Sequence, residues 1–242
     1  MAAQKRAQKS ATKKKKRRNK RKRYDMSRLW IALGLLSLVL LVILGVTRHQ
    51  KKTAAASSDS PVTLSQIDNN NPELDVELLT VNPYSRPGTA LEKVNGIVIH
   101  YTANPGATAI ANRNYFENLK DTHTTKASSH FVVGLEGEIV QCIPTAEIAY
   151  ASNDRNSDTI SIECCYKNED GSFEQATYDS VIKLTAWLCA KFGLTSENVI
   201  RHYDVTGKLC PLYYVEHEEA WTQFKKDVDT YLQVYETGDE NG

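Results

Sequence analysis

Two histidines and a cysteine occupy positions from which a folded chain can gather metal ligands. His100 ends the apolar run Gly96-Ile97-Val98-Ile99, His202 ends Val199-Ile200-Arg201, and Cys210 follows a glycine-containing loop. Imidazole nitrogen and thiolate sulfur are donors for borderline divalent cations. In α/β sheets, sites form beyond strand ends, where loops converge. Because the two histidines lie far apart in sequence, spacing alone leaves each a second reading, as a hydrogen-bonded core ring or a surface group. Glu163 is the anomaly, since it follows Ile160 and Ile162 and precedes Cys164 in a stretch patterned for the interior. A buried carboxylate must take a proton or find a partner. Water on a nearby metal would provide the proton; a structural salt bridge to Lys208 or Arg201 is the alternative.

The elements that must hold these residues read as short strands separated by helices. Gly96 to Tyr101 predicts a largely buried strand. Thr108 to Leu119 predicts a helix with Thr108 as its cap. His130 to Val133 and Glu138 to Ile143 predict two strands joined through Leu135-Glu136-Gly137, and Thr159 to Tyr166 a further apolar strand. Ala176 to Phe192 carries a broad helical stripe closed by Gly193, and Val199 to His202 is one more short strand. A single last helix is expected from about Val215 to Leu232. This alternation describes an α/β domain with one core.

The formal charge of +1 conceals two populations, because residues 1–28 hold fourteen Lys and Arg against the single Asp25, leaving the remainder near −12. Residues 1–28 cannot fold alone. They are read as a basic cytoplasmic tail rather than a nucleic-acid patch, because residues 29–46 are eighteen uncharged positions between Arg28 and Arg48. As a helix they cover roughly 27 Å, close to the ~30 Å hydrocarbon thickness. The positive flank places the N-terminus inside and the rest outside: a single-pass cell-membrane protein touching lipid through residues 29–46, with no nucleic-acid partner. Residues 47–80 read as an extracytoplasmic linker whose end begins to touch the domain, 81–234 as the folded domain, and 235–242 as a tail with no reason to be ordered. The five cysteines all follow the apolar span, and their odd number excludes complete pairing within one chain. Cys164 and Cys165 would point to opposite faces of a strand, and most of the five are read as small buried hydrophobes.

Four blocks, GIVIHYT at 96–102, ASSHFVV at 127–133, TISIE at 159–163 and RHYDVTGKLCP at 201–211, resemble those of the zinc N-acetylmuramoyl-L-alanine amidases. That family also includes phage amidase lysozymes and animal peptidoglycan recognition proteins. The resemblance implies a central mixed sheet flanked by helices and a Zn2+ ion held by His100, His202 and Cys210. It implies Glu163 and Lys208 as catalytic groups, and Thr102, Ser129 and His130 on the substrate side. It further implies hydrolysis of the amide between N-acetylmuramic acid and L-alanine, with peptidoglycan or muropeptides as partner. Ser129 departs from the pattern, standing where some phage and animal members carry a catalytic tyrosine. The alternative function is a membrane-anchored, catalytically inactive peptidoglycan-binding protein; retention of Glu163 and all three ligands separates this chain from the metal-free recognition subset.

Overall fold

The computed structural model describes residues 71–237, with side chains through Tyr235. The basic tail 1–28, the apolar span 29–46, residues 47–70 of the linker and residues 238–242 lie outside the described residues. Among the described residues no helix is long and apolar enough to cross a membrane.

Six strands form one mixed sheet in the order β1-β4-β3-β5-β2-β6: β1 (Asp75–Val76), β2 (Gly96–Tyr101), β3 (Phe131–Val133), β4 (Ile139–Gln141), β5 (Thr159–Cys164) and β6 (Val199–Arg201). Only the β3–β4 pair is antiparallel, its tight connection turning at Gly137 (φ 87°). The trio β5-β2-β6 at one end of the sheet is parallel throughout, so three carboxyl ends open on the same side.

Alternation along these strands sorts the sheet into two faces. Ile97, Ile99, Phe131, Val133, Ile160, Ile162 and Cys164 join one cluster with Val181, Leu184 and Leu188 of α2 (Gln175–Phe192) and Trp221, Phe224 and Val228 of α5 (Glu218–Thr237). Val132, Val140 and Cys165 face the other way, onto Ala109 and Phe116 of α1 (Ala109–Thr122) and onto Leu79. Cys164 and Cys165 thus divide between the faces, and all five cysteines are free and buried. Thr108 caps α1, its hydroxyl accepting the Ala111 N–H at 3.3 Å.

Four boundaries differ from expectation. Folded structure starts before residue 81, because β1 adds to the sheet edge and Leu79, 1% exposed, enters the core. His202 opens the short helix α3 (His202–Thr206) instead of ending a strand. The single last helix divides into α4 (Leu212–Glu216) and α5, with His217 leaving helical geometry at ψ 82°. Arg201 stabilises that break, donating to the Tyr214 carbonyl at 2.8 Å and to Glu218 Oε2 at 2.7 Å. Finally, α5 continues past residue 234, because Tyr235 is still 1% exposed.

Candidate functional site

The parallel register places His100 of β2 directly beside Glu163 of β5, so both side chains leave the sheet on one face. His202 follows the adjacent strand β6. After α3, Gly207 adopts φ 76°, a left-handed conformation that glycine takes without strain. The chain then turns back, and the Tyr203 N–H donates to the Cys210 carbonyl at 2.9 Å. These turns set the Cys210 Sγ 3.9 Å from His100 Nδ1.

His100, His202 and Cys210 are all buried, with one ligand atom from each lying within 4.8 Å of the others. The two rings sit 4.6 Å apart, tilted by 55°. His100 Nε2 lies 3.2 Å from Ser152 Oγ, and His202 Nε2 lies 3.2 Å from Asn153 Oδ1. His202 Nδ1 is buried with no hydrogen-bond partner. Burial lowers the pKa of both rings, that of His100 well below its ordinary value, with the neighbouring His202 and Lys208 adding in the same direction. Both imidazoles are therefore neutral, with lone pairs available to a cation. Burial, with Glu163 beside it, pushes the Cys210 thiol up to about 12. An orphaned imidazole nitrogen, a second ring and a thiol converging at this separation fit a zinc ion after shifts of about 1 Å, since thiolate and imidazole bind it at roughly 2.3 and 2.0 Å.

Glu163 Oε1 is 4.0 Å from His100 Nδ1, and its Oε2 is buried without a partner. Burial pushes its carboxyl up to about 8, and the attraction of Lys208 offsets only part of that. Neither candidate partner forms a salt bridge with it. Arg201 pairs instead with Asp204 at 2.8 Å and Glu218 at 2.7 Å, and Lys208 is exposed at the cleft. The open cleft above these groups is walled by Lys126, Ala127 and Ser128 on one segment and Tyr150, Ala151, Asn153 and Asn156 on another, with Tyr101 and Lys208 completing it.

The structure does not bring Ser129 and His130 to this cleft. Ser129 is fully buried, its hydroxyl 2.9 Å from the carbonyl oxygens of Phe131 and Ser161. His130 Nδ1 accepts the Ser161 N–H at 3.0 Å, while Nε2 donates to the Glu147 carbonyl at 2.9 Å. Both nitrogens are satisfied, so this ring is a core pin that joins β5 to the 144–148 turn. Thr102 lies just past β2 with its hydroxyl buried and unpartnered. Sequence reasoning missed Ser152, Asn153, Lys126 and Tyr150, which sit in turns without hydrophobic periodicity. The polar run Ser152-Asn153-Asp154-Arg155-Asn156 announces a turn and nothing about what that turn touches.

The N-acetylmuramoyl-L-alanine amidase family model, type 2, matches residues 90–212, just over half of the chain. The chain belongs to that amidase family. It is 39% identical over 165 residues to the N-acetylmuramoyl-L-alanine amidase CwlL of Bacillus licheniformis, a match covering 63% of this chain and 45% of that protein. It is 36% identical over 171 residues to the amidase BlyA of Bacillus subtilis strain 168, covering 62% of this chain and 45% of BlyA. The chain thus spans less than half the length of these curated relatives. Among solved structures, the catalytic domain of XlyA superposes with a TM-score of 0.55 at 30% identity, over 65% of this chain and 99% of that domain. PlyL superposes with a TM-score of 0.57 at 25% identity, over 66% and 99% respectively. The amidase-family match ends at Leu212, so it contains the two histidines, Glu163, Lys208 and Cys210.

Proposed function

We propose that this chain is a zinc-dependent N-acetylmuramoyl-L-alanine amidase that hydrolyses the lactyl amide between N-acetylmuramic acid and L-alanine in peptidoglycan. The observation that carries this reading is the convergence of ligand atoms from His100, His202 and Cys210 beside a buried carboxyl that no Lys or Arg pairs. A zinc ion held there supplies positive charge that polarises a carbonyl oxygen and acidifies water.

The chain's own groups account for the proton traffic. Glu163 accepts the proton released as water adds to the carbonyl carbon, then delivers it to the alanine nitrogen as the C–N bond breaks. Without metal, burial raises its pKa; the positive charge of a zinc ion beside it would lower it again and favour the carboxylate that accepts the proton. Lys208, at the cleft margin, faces the negative charge that develops on the carbonyl oxygen. The flanking walls exclude part of the solvent and orient the sugar–peptide junction. No covalent enzyme intermediate is needed, because buried Cys164 and Cys165 both have thiol pKa values raised by burial. We also propose that the domain works outside the cell membrane, tethered through residues 29–46, a reading supported by the charge asymmetry across that span.

The test is turnover of a soluble muramoyl-peptide by the zinc-loaded full chain and its Glu163→Gln variant. Glutamine keeps the shape but cannot relay a proton, so turnover should fall by about 10² to 10⁴ with zinc content unchanged. Near-wild-type turnover would remove Glu163 from the mechanism. Zero turnover in the wild type, with wall fragments still bound, would favour the inactive binding protein.

A further inference from the structure

Two ligand rings from distant parts of the chain are touched by consecutive residues of a single turn. Ser152 precedes and Asn153 opens the 3-10 turn Asn153–Ser157, and they meet His100 and His202 respectively, each at Nε2 and each at 3.2 Å. An amide oxygen only accepts, so the Asn153 contact requires the proton of His202 to sit on Nε2. That leaves Nδ1 as a bare lone pair, buried and facing no other donor. Ser152, 1% exposed, offers a hydroxyl that can accept from the same nitrogen of His100, whose Nδ1 faces the Cys210 sulfur.

The turn is built to hold those two oxygens still. Asn156 Oδ1 accepts the backbone N–H groups of Ala151 at 3.0 Å and Ser152 at 2.6 Å, pinning the segment from below. Asn153 takes φ 51°, a left-handed conformation that asparagine tolerates and β-branched residues do not. The backbone there is thus bent to aim one short side chain.

We infer that Ser152 and Asn153 are positioning residues that fix both histidines as their Nε2–H tautomers and turn both Nδ1 lone pairs toward Cys210, preorganising the metal site before any ion arrives. The inference rests on the zinc reading above, but tautomer state is measurable without metal. A ring free to choose its tautomer or rotate would sacrifice affinity, and partners of this kind typically contribute about 10- to 100-fold.

The experiment uses the full chain with 15N-labelled histidine, stripped of metal, in four forms: wild type, Ser152→Ala, Asn153→Gly and Asn153→Asp. Glycine preserves the left-handed backbone while deleting the acceptor; aspartate keeps an acceptor in place. Imidazole 15N shifts should show Nε2–H for His100 and His202 in the wild type. Zinc affinity, measured by competition with a chelator, should fall about 10- to 100-fold in Ser152→Ala and in Asn153→Gly, with apo melting temperature little changed. Asn153→Asp should bind at least as tightly as wild type. An Nδ1–H tautomer at His202 in the wild type, or unchanged zinc affinity in both Ser152→Ala and Asn153→Gly, would overturn the inference. A wild-type chain that takes up no zinc would defeat the zinc reading, and the apo tautomers would still decide this one.

Discussion

His130 and His202 show how one residue type serves opposite ends when its hydrogen bonds differ. Every polar atom of the His130 ring has a protein partner, whereas His202 keeps one buried nitrogen bare. The resemblance puts His202 on zinc and His130 on the substrate side, but strand ends alone do not tell a ligand from a core ring; what makes His130 a core ring is the Ser161 amide and the Glu147 carbonyl, which no local pattern reveals. Burial holds His130 near a pKa of about 4 against an ordinary 6.5, while the Glu147 carboxylate is occupied by Arg86 at 2.7 Å. Between those values the unfolded chain binds one more proton than the folded one, so stability rises with pH and is lost on acidification from 6.5 toward 4. The slope from this group is about 1.4 kcal/mol per pH unit. His130→Gln can imitate both hydrogen bonds without titrating, so its unfolding free energy should vary less steeply by that amount across the window. Denaturant melts at several pH values would decide, and an unchanged slope would place the acid sensitivity elsewhere. Of the three proposed ligands only Cys210 can carry negative charge, and Cys210→Ala removes it. Chelator competition should show zinc affinity reduced by orders of magnitude, and the stabilisation that zinc gives the melting temperature should largely vanish.

At the scale of elements, what was legible followed periodicity and caps. β2 and α1 appeared where alternation and Thr108 put them, and β5 was visible as an apolar run with one discordant carboxylate. The α4–α5 break was not legible, because the apolar spacing from Tyr214 through Trp221 and Phe224 to Val228 continues across it. What breaks the helix is a partner from elsewhere: Arg201, held by Asp204 and Glu218, and lying 5.4 Å over the Trp221 ring. β1 escaped notice for a related reason, since a two-residue strand exists only because β4 accepts it. Arg201→Met keeps the apolar stem but strands the Tyr214 carbonyl and both carboxylates. It should cost about 2 kcal/mol, a drop of roughly 4–8 °C in melting temperature. A variant melting within a degree of wild type would show that the junction is held by packing alone.

For the whole molecule, the proposed anchored topology makes a direct prediction. Protease added to intact, wall-stripped cells should release the 71–237 domain, and full protection would sink the outward orientation. The edge at which the chain enters the sheet then acquires a mechanical meaning. A pull transmitted along the linker meets Leu74, packed on the larger core cluster, then β1 and the contacts just behind it: the Glu77 and Leu79 N–H groups on the Gln141 and Cys142 carbonyls, and Thr80 on Glu117. The strands that carry the site, β5, β2 and β6, stand beyond β4 and β3 in the sheet order. Tension would therefore load that margin before it reached the ligand geometry. A wall-cutting enzyme leashed at that edge would keep its active site intact as the polymer it holds shifts against the membrane.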